Sequence, residues 1–184
     1  MKILLFPGAF QSVENYKHYE GVDIWLKSTP LKNFPFADYY IGHSAGSAFI
    51  LANCALPTNS KFIFINPIVG KRGVFSIGFV WIKYLIGEGI AWKKIVPIEN
   101  WLYGLKLAIR LLDVDFSVII DKIPSENIVI IRGKNDHWIC DEEAVKILKE
   151  KKIRCIEVNA GHDWDENIAQ AVKDLLPVEK ISAS

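Results

Sequence analysis

The residues best suited to chemistry lie within one short stretch, residues 42–46, which read GHSAG. This is the G-x-S-x-G pattern, in which a serine occupies a sharp turn between a strand and a helix. Glycines two residues before and two after the serine allow the crowded backbone that such a turn needs. The pattern therefore predicts that Ser44 is a nucleophile. The alternative is a tight β–α turn in which the serine caps the helix.

A serine hydroxyl attacks a carbonyl group only when a histidine takes its proton and an acid orients that histidine. The chain offers Asp136 in a loop after the apolar run 128–131, and His162 after the run 155–158. The carboxyl ends of parallel strands lie along one edge of a sheet. We therefore expect Ser44, Asp136 and His162 to converge.

Other histidines and aspartates compete for these two roles. His43 lies inside the GHSAG pattern, where packing or hydrogen bonding is the expected role, and His18 lies on a predicted surface helix. His137 follows Asp136 directly and is the alternative base. Three rival aspartates are explained by helix ends: Asp141 as an N-cap, and Asp163 and Asp165 as first-turn charges.

The elements that must position these groups are short apolar runs that end in turn residues. Their near-continuous apolar character predicts buried parallel strands. Helical patterns follow the fourth and fifth runs, beginning at Asp141 and at Trp164. Alternating strands and helices predict a three-layer α/β domain with a mostly parallel sheet of about five or six strands. The five runs are 3–6, 38–41, 62–65, 128–131 and 155–158.

Residues 70–112 interrupt this alternation with two apolar stretches, 74–86 and 101–112, which we expect to be helices. Both carry Lys or Arg and are shorter than the run of about 18 apolar residues that spans a membrane. The segment holds seven basic and two acidic residues, a net charge of +5, so the remainder of the chain carries −4.

Three segments together resemble the small α/β-hydrolases: GHSAG at 42–46, GKND at 133–136 and GHD at 161–163. The order Ser, Asp, His along the chain is that of this family. The resemblance extends from Ile3 to Leu176 and implies an α/β-hydrolase fold trimmed on the side before the nucleophile strand. It also implies that Ser44 attacks an ester, thioester or amide carbonyl, with His162 as general base and acid and Asp136 as its orienting partner.

The resemblance implies an oxyanion hole of two backbone N–H groups. One belongs to Ala45, which follows the nucleophile, and the other to Ala9 or Phe10 in the loop after the first strand. This loop lacks the HGGG sequence of many lipases and esterases.

The family commonly carries a lid between the third and fourth strands, where residues 70–112 lie. A helical lid would present aromatic side chains to an apolar acyl or aryl group, and its charge of +5 could attract an anionic head group or a membrane surface. The substrate-binding residues predicted on this basis are Trp81, Tyr84, Trp101 and Tyr103.

Composition limits the partners, cofactors and cellular location that can be expected for this protein. The 184 residues include 22 Lys and Arg against 21 Asp and Glu, which argues against a nucleic-acid partner held by charge. Three cysteines without a metal-ligand or disulfide pattern, and an N-terminus without a cleavage-site pattern, predict a cytoplasmic protein with no metal or cofactor. One domain over 1–184 is expected.

These observations together predict a serine hydrolase that acts on a small-molecule ester or thioester. An acyltransferase that uses the same three residues remains an alternative, as does a binding protein that has kept the fold. A peptidase-E-like Ser-Ala-Gly turn is disfavoured, because it predicts a different acid and no histidine after the last strand.

Overall fold

The computed structural model describes residues 1–17, 19–31, 34–70 and 95–177, and within them the chain forms a five-stranded parallel sheet. The order of the strands in the sheet is their order along the chain. The predicted fold class is confirmed, at the lower of the two predicted strand counts. The strands are β1 (Ile3–Phe6), β2 (Tyr39–His43), β3 (Lys61–Ile65), β4 (Ile128–Gly133) and β5 (Arg154–Val158).

Helices connect or follow the strands. Two of them begin at an aspartate whose carboxylate accepts a hydrogen bond from a backbone N–H of the first turn: Asp141 from Ala144 at 3.1 Å, and Asp165 from Ile168 at 2.9 Å. The helices are α1 (Ala45–Asn53), α2 (Trp101–Leu112), α3 (Phe116–Ile119), α4 (Glu142–Glu150) and α5 (Glu166–Leu175). Short 3₁₀ turns cover Val13–Asn15, Ile98–Asn100, Ile120–Lys122 and Ser125–Asn127.

Both faces of the sheet are buried, which explains the continuous apolar runs. In β1, Leu4 and Phe6 point into the larger of two core clusters, and Leu5 points into the smaller one on the opposite face. Side chains of α1, α2 and α4 complete the larger cluster, whereas α5 and Tyr16 complete the smaller one. The molecule therefore has the three layers expected from the sequence.

All five strands end at the same edge of the sheet. Phe6 is level with Gly42 in the ladder between β1 and β2, and His43 is level with Ile65 in the next ladder. Gly133 is level with Val158 in the ladder between β4 and β5. The loops that follow β1, β2, β4 and β5 consequently meet at this carboxyl edge.

Two glycines set how closely these loops approach. A Cβ atom at Gly46 would lie 2.2 Å from the carbonyl oxygen of Phe6, so the start of α1 lies against the end of β1. A Cβ atom at Gly133 would lie 2.0 Å from the carbonyl oxygen of Gly161. The end of β4 therefore touches the loop that follows β5 only because residue 133 has no side chain.

Replacing Gly133 with alanine should lower the free energy of unfolding by about 1–3 kcal/mol, because backbone rather than a side chain must move. Urea denaturation would measure the change. Gly104→Ala is the matched control: its Cβ atom would meet the Phe10 ring at 2.7 Å, and a ring edge can shift. Equal stability in Gly133→Ala and the parent protein would contradict the close approach.

Candidate active site

Ser44 occupies the turn between β2 and α1 in a conformation that side chains rarely adopt, with φ 51° and ψ −118°. Its backbone N–H donates to the carbonyl oxygen of Ile65 at 2.8 Å, so the turn is fastened to β3. Ser44 stands at the helix N-cap, yet its hydroxyl makes no capping hydrogen bond. The capping alternative therefore does not account for the serine, whose side chain is directed elsewhere.

The hydroxyl of Ser44 meets His162. The distance from Ser44 Oγ to His162 Nε2 is 3.0 Å, and that from His162 Nδ1 to Asp136 Oδ2 is 2.7 Å. The three side chains lie at the ends of β2, β4 and β5, as the sequence predicts for parallel strands. His137, the alternative base, is exposed to solvent. The structure thus brings the three predicted residues together in one hydrogen-bonded chain.

Asp136 is fully buried, and its carboxylate accepts hydrogen bonds from the backbone N–H groups of Trp138, Ile139 and Cys140 at 3.0 to 3.2 Å. Burial by itself raises the pKa of this carboxyl group. The hydrogen bond and charge of His162, with the N–H groups of Ile139 and Cys140, outweigh burial and lower the pKa to about 2. Asp136 is therefore an anion across the neutral pH range.

The buried guanidinium group of Arg132 supports the loop that carries Asp136. Its Nε donates to the carbonyl oxygen of Cys140 at 2.7 Å, and its terminal nitrogens bind Glu157 at 2.7 Å and Glu142 at 2.8 Å. Cys140 is also one of the residues whose N–H contacts Asp136. Arg132 therefore joins the last turn of this loop to β4, β5 and α4.

Asn66, directly after β3, holds the loop that carries His162. Its side-chain nitrogen donates to the carbonyl oxygens of His162 at 2.7 Å and of Gly161 at 3.1 Å, and its oxygen accepts from the N–H of Gly133 at 2.8 Å. Asn66 is not among the residues predicted from the sequence. The one available signal was a buried-strand pattern that ends in an amide side chain.

His43 is buried, and its Nε2 donates to the same carbonyl oxygen of His162 at 2.9 Å. Burial, together with the positive charge that His162 can carry, lowers the pKa of His43 to about 4, against an ordinary value near 6.5. Because Nε2 faces a carbonyl oxygen, the neutral ring must carry its proton there. The expected role in hydrogen bonding therefore fits the contacts of His43.

The pKa of His43 makes the fold sensitive to acid. Between pH 6.5 and about 4 the His43 ring binds a proton in the unfolded chain but stays neutral in the native state. The free energy of unfolding therefore falls as the pH falls through this window. The loss is on the order of 3 kcal/mol and is complete near pH 4. Urea denaturation at a series of pH values from 4 to 7 should show that the free energy of unfolding depends more steeply on pH in the parent protein than in His43→Gln. An equal dependence on pH in the two proteins would contradict the low pKa of His43.

The predicted oxyanion groups lie where α1 meets the loop after β1. Ala45 is the first residue of α1, and Ala9 lies in a turn closed by a 3.0 Å hydrogen bond from the Gln11 N–H to the Gly8 carbonyl oxygen. Phe10 has a positive φ of 58°, and its carbonyl oxygen accepts from the Val96 N–H. Within the described ranges, the N–H groups of Ala9 and Ala45 donate to no protein acceptor.

Two of the four predicted substrate-binding residues, Trp81 and Tyr84, lie outside the described residues, as does most of the predicted lid at 70–112. The loop after β1, which carries Ala9 and Phe10, is called the oxyanion loop below. Trp101 begins α2, and its ring centroid lies 6.5 Å from that of Phe10. Tyr103 is partly buried and packs against the larger core cluster. The structure therefore places Trp101 beside the loop after β1.

Comparison with known proteins agrees with the fold described above. No family model and no curated protein matches the sequence. Solved structures do match over nearly the whole chain. One is a lipase-esterase related protein from Clostridium acetobutylicum, which is 13% identical with a TM-score of 0.64. The match covers 95% of this chain and 94% of that one. The chain has the α/β-hydrolase fold.

Two further structures support the α/β-hydrolase fold. A deformylase from Pseudomonas putida S16 is 14% identical with a TM-score of 0.58, covering 94% of this chain and 91% of that one. A thermophilic esterase from Thermogutta terrifontis is 10% identical with a TM-score of 0.58, covering 94% and 88%.

Two kinds of site are not found in the part of the chain that the structure describes. These residues contain no group of three His, Cys, Asp or Glu side chains that could hold a metal ion. No helix among them is long and apolar enough to cross a membrane.

Proposed function

We propose that this protein is a serine hydrolase that cleaves carboxylic esters or thioesters through an acyl-enzyme. The observation that carries the proposal is the chain of hydrogen bonds from Ser44 through His162 to Asp136, at 3.0 and 2.7 Å, on a strained strand-to-helix turn. The solved structures with a similar fold include a lipase-esterase related protein and an esterase.

In the acylation step, Ser44 Oγ attacks the carbonyl carbon of the ester and passes its proton to His162 Nε2. The imidazolium that forms keeps its Nδ1–H directed at Asp136, whose low pKa maintains the opposing negative charge. The carbonyl oxygen becomes an oxyanion, which the N–H of Ala45 and that of Ala9 or Phe10 would stabilise. His162 then protonates the leaving alcohol or thiol as its bond to the acyl carbon breaks.

The second step regenerates the enzyme. Water gives a proton to His162 Nε2 and attacks the acyl carbon, and the bond to Ser44 Oγ breaks as His162 returns the proton to the serine. The free acid is the product. Transfer of the acyl group to another alcohol or thiol would use the same groups, so the acceptor alone distinguishes a hydrolase from an acyltransferase.

The proposed substrate carries an apolar acyl or aryl group. Aromatic side chains pack around the loop after β1: Phe10 stacks on Trp25 with ring centroids 5.3 Å apart, and Trp101 meets Phe10 edge-on. Trp101 is 36% exposed, whereas Trp25 is fully buried. Trp101 is thus the ring among the three best placed to contact a bound acyl chain.

The catalytic roles are tested by covalent labelling and turnover. A fluorophosphonate probe should label the parent protein at Ser44, and Ser44→Ala and His162→Ala should lose both labelling and nearly all hydrolysis of a p-nitrophenyl ester. Asp136→Asn should fold and react up to about 10⁴-fold more slowly, since the histidine loses its correct tautomer. Combined substitutions should not add, because the residues act as one unit.

His137→Ala is the matched control for this experiment, since His137 adjoins Asp136 in sequence but is exposed. It should retain parental labelling and turnover. Full activity in Ser44→Ala would refute the proposal, and a labelled protein that turns over only with an added acyl acceptor would identify a transferase. A folded parent protein that neither binds the probe nor cleaves any ester would support the binding-protein alternative.

The apolar acyl site is tested by chain length. Lengthening the acyl chain of a p-nitrophenyl ester should improve kcat/KM by roughly 1 kcal/mol per buried methylene until the site is full. Trp101→Ala should then cost long esters more than short ones. Leu102→Ala, on the neighbouring residue with 68% of its surface exposed, is the control and should leave the preference unchanged. The same dependence of kcat/KM on acyl chain length in Trp101→Ala and Leu102→Ala would exclude Trp101 from the acyl site.

The proposed contact with an anionic membrane surface rests on the basic residues of the 70–112 segment, most of which lie outside the described ranges. Sedimentation with anionic vesicles, and release by salt, would test it directly.

A further inference from the structure

A buried hydroxyl group connects the oxyanion loop to the serine turn. Tyr16 is fully buried beneath the site, and its hydroxyl oxygen accepts a hydrogen bond from the Gly8 N–H at 2.9 Å. The same oxygen lies 2.6 Å from His43 Nδ1 and also contacts the side-chain oxygen of Gln11. Gly8 belongs to the loop that carries Ala9 and Phe10, whereas His43 directly precedes the nucleophile.

The network continues from His43 to the histidine loop. His43 Nε2 donates to the carbonyl oxygen of His162, the residue whose ring contacts Ser44. On the other side, Gln11 Nε2 donates to the carboxylate of Asp163 at 3.0 Å. Tyr16 and His43 therefore link three parts of the proposed machinery: the oxyanion loop, the serine turn and the catalytic histidine.

The positions of the protons decide which atoms of this network donate and which accept hydrogen bonds. Neutral His43 must carry its proton on Nε2 to serve the carbonyl of His162, so His43 Nδ1 is an acceptor. The Tyr16 hydroxyl supplies the proton that Nδ1 needs, and the Gln11 oxygen competes for that proton. Without the Tyr16 hydroxyl, His43 Nδ1 loses its donor and the Gly8 N–H loses its buried acceptor.

We infer that Tyr16 and His43 are positioning residues, which place the oxyanion loop and the His162 ring relative to Ser44. Neither residue need touch the substrate. Their effect is geometric, because a shift of about 1 Å between reacting groups lowers the reaction rate on the order of 10²-fold. This inference rests on the proposed function for its kinetic consequence, but its structural part can be tested without any activity.

The first variant is Tyr16→Phe, which removes only the hydroxyl group. On a short p-nitrophenyl ester, kcat should fall about 10- to 100-fold while KM changes by less than about twofold, because the substrate site stays and the alignment is lost. Tyr19→Phe is the matched control. The Tyr16 and Tyr19 rings both pack on Trp164, with centroids 4.9 and 5.9 Å from its ring. In the described parts of the chain the Tyr19 hydroxyl has no hydrogen-bond partner.

The second readout is spectroscopic and needs no substrate. In protein labelled with ¹⁵N-histidine, the His43 ring should give the nitrogen shifts of a neutral Nε2–H tautomer near pH 7. Tyr16→Phe should shift the ring signals of both His43 and His162, and Tyr19→Phe should leave them in place. Unchanged His162 signals in Tyr16→Phe would overturn the inference even if kcat falls, since the effect would then bypass the histidine.

A pair of variants at residue 43 covers the case in which Tyr16→Phe does not fold. His43→Gln keeps an N–H that can reach the His162 carbonyl oxygen, whereas His43→Leu removes it. His43→Gln should therefore retain more kcat, and more of the parental His162 signal, than His43→Leu. Equal values for the two variants would overturn the inference. A parent protein with the expected His43 tautomer but no fluorophosphonate labelling would refute the proposed function and leave the network standing.

Discussion

The arrangement of the site depends on the backbone conformation of Ser44. A side chain at φ 51° and ψ −118° costs about 1–3 kcal/mol, and such strain persists only where the surroundings determine it fully. Here the N–H of Ser44 is bonded to β3, and Gly46 brings α1 against the carbonyl oxygen of Phe6. The strain keeps the hydroxyl away from the helix that it would otherwise cap and directs it at His162.

His162 is held through its main chain, while its ring nitrogens contact the two other proposed catalytic residues: Nε2 meets Ser44 and Nδ1 meets Asp136. Its carbonyl oxygen accepts from His43 and from Asn66, so the loop is fixed from two neighbouring strand ends. The rings of His43 and His162 have centroids only 5.5 Å apart. Because burial keeps His43 neutral, a proton arriving on His162 meets the negative charge of Asp136 and no second positive charge.

The sequence allowed the strands and the three proposed catalytic residues to be predicted for one physical reason. Strands buried on both faces need continuous apolar runs, and residues that follow parallel strands gather at one edge. The prediction for β4 ended too early, at Ile131, because Arg132 and Gly133 are not apolar. They extend the strand because β5 pairs with them and Glu157 binds the guanidinium group.

The supporting residues could not be predicted in this way. Tyr16, Asn66 and Arg132 act through partners on other strands, helices or loops, such as the contact between Asn66 and His162. Each side chain is of a common type in an ordinary local pattern, and its role follows only from what the fold places beside it. Hydrophobic periodicity describes burial and carries no information about which buried polar groups will meet.

The agreement between strand order and chain order has a consequence for synthesis. A chain emerging from the ribosome can add each strand to the edge formed by the previous one, without inserting a later strand between two earlier ones. The serine turn is complete once β3 has joined the sheet, but His162 lies beyond β5. A nascent chain therefore forms the serine turn before the last strand docks, and the proposed general base joins that turn only when the fold is complete.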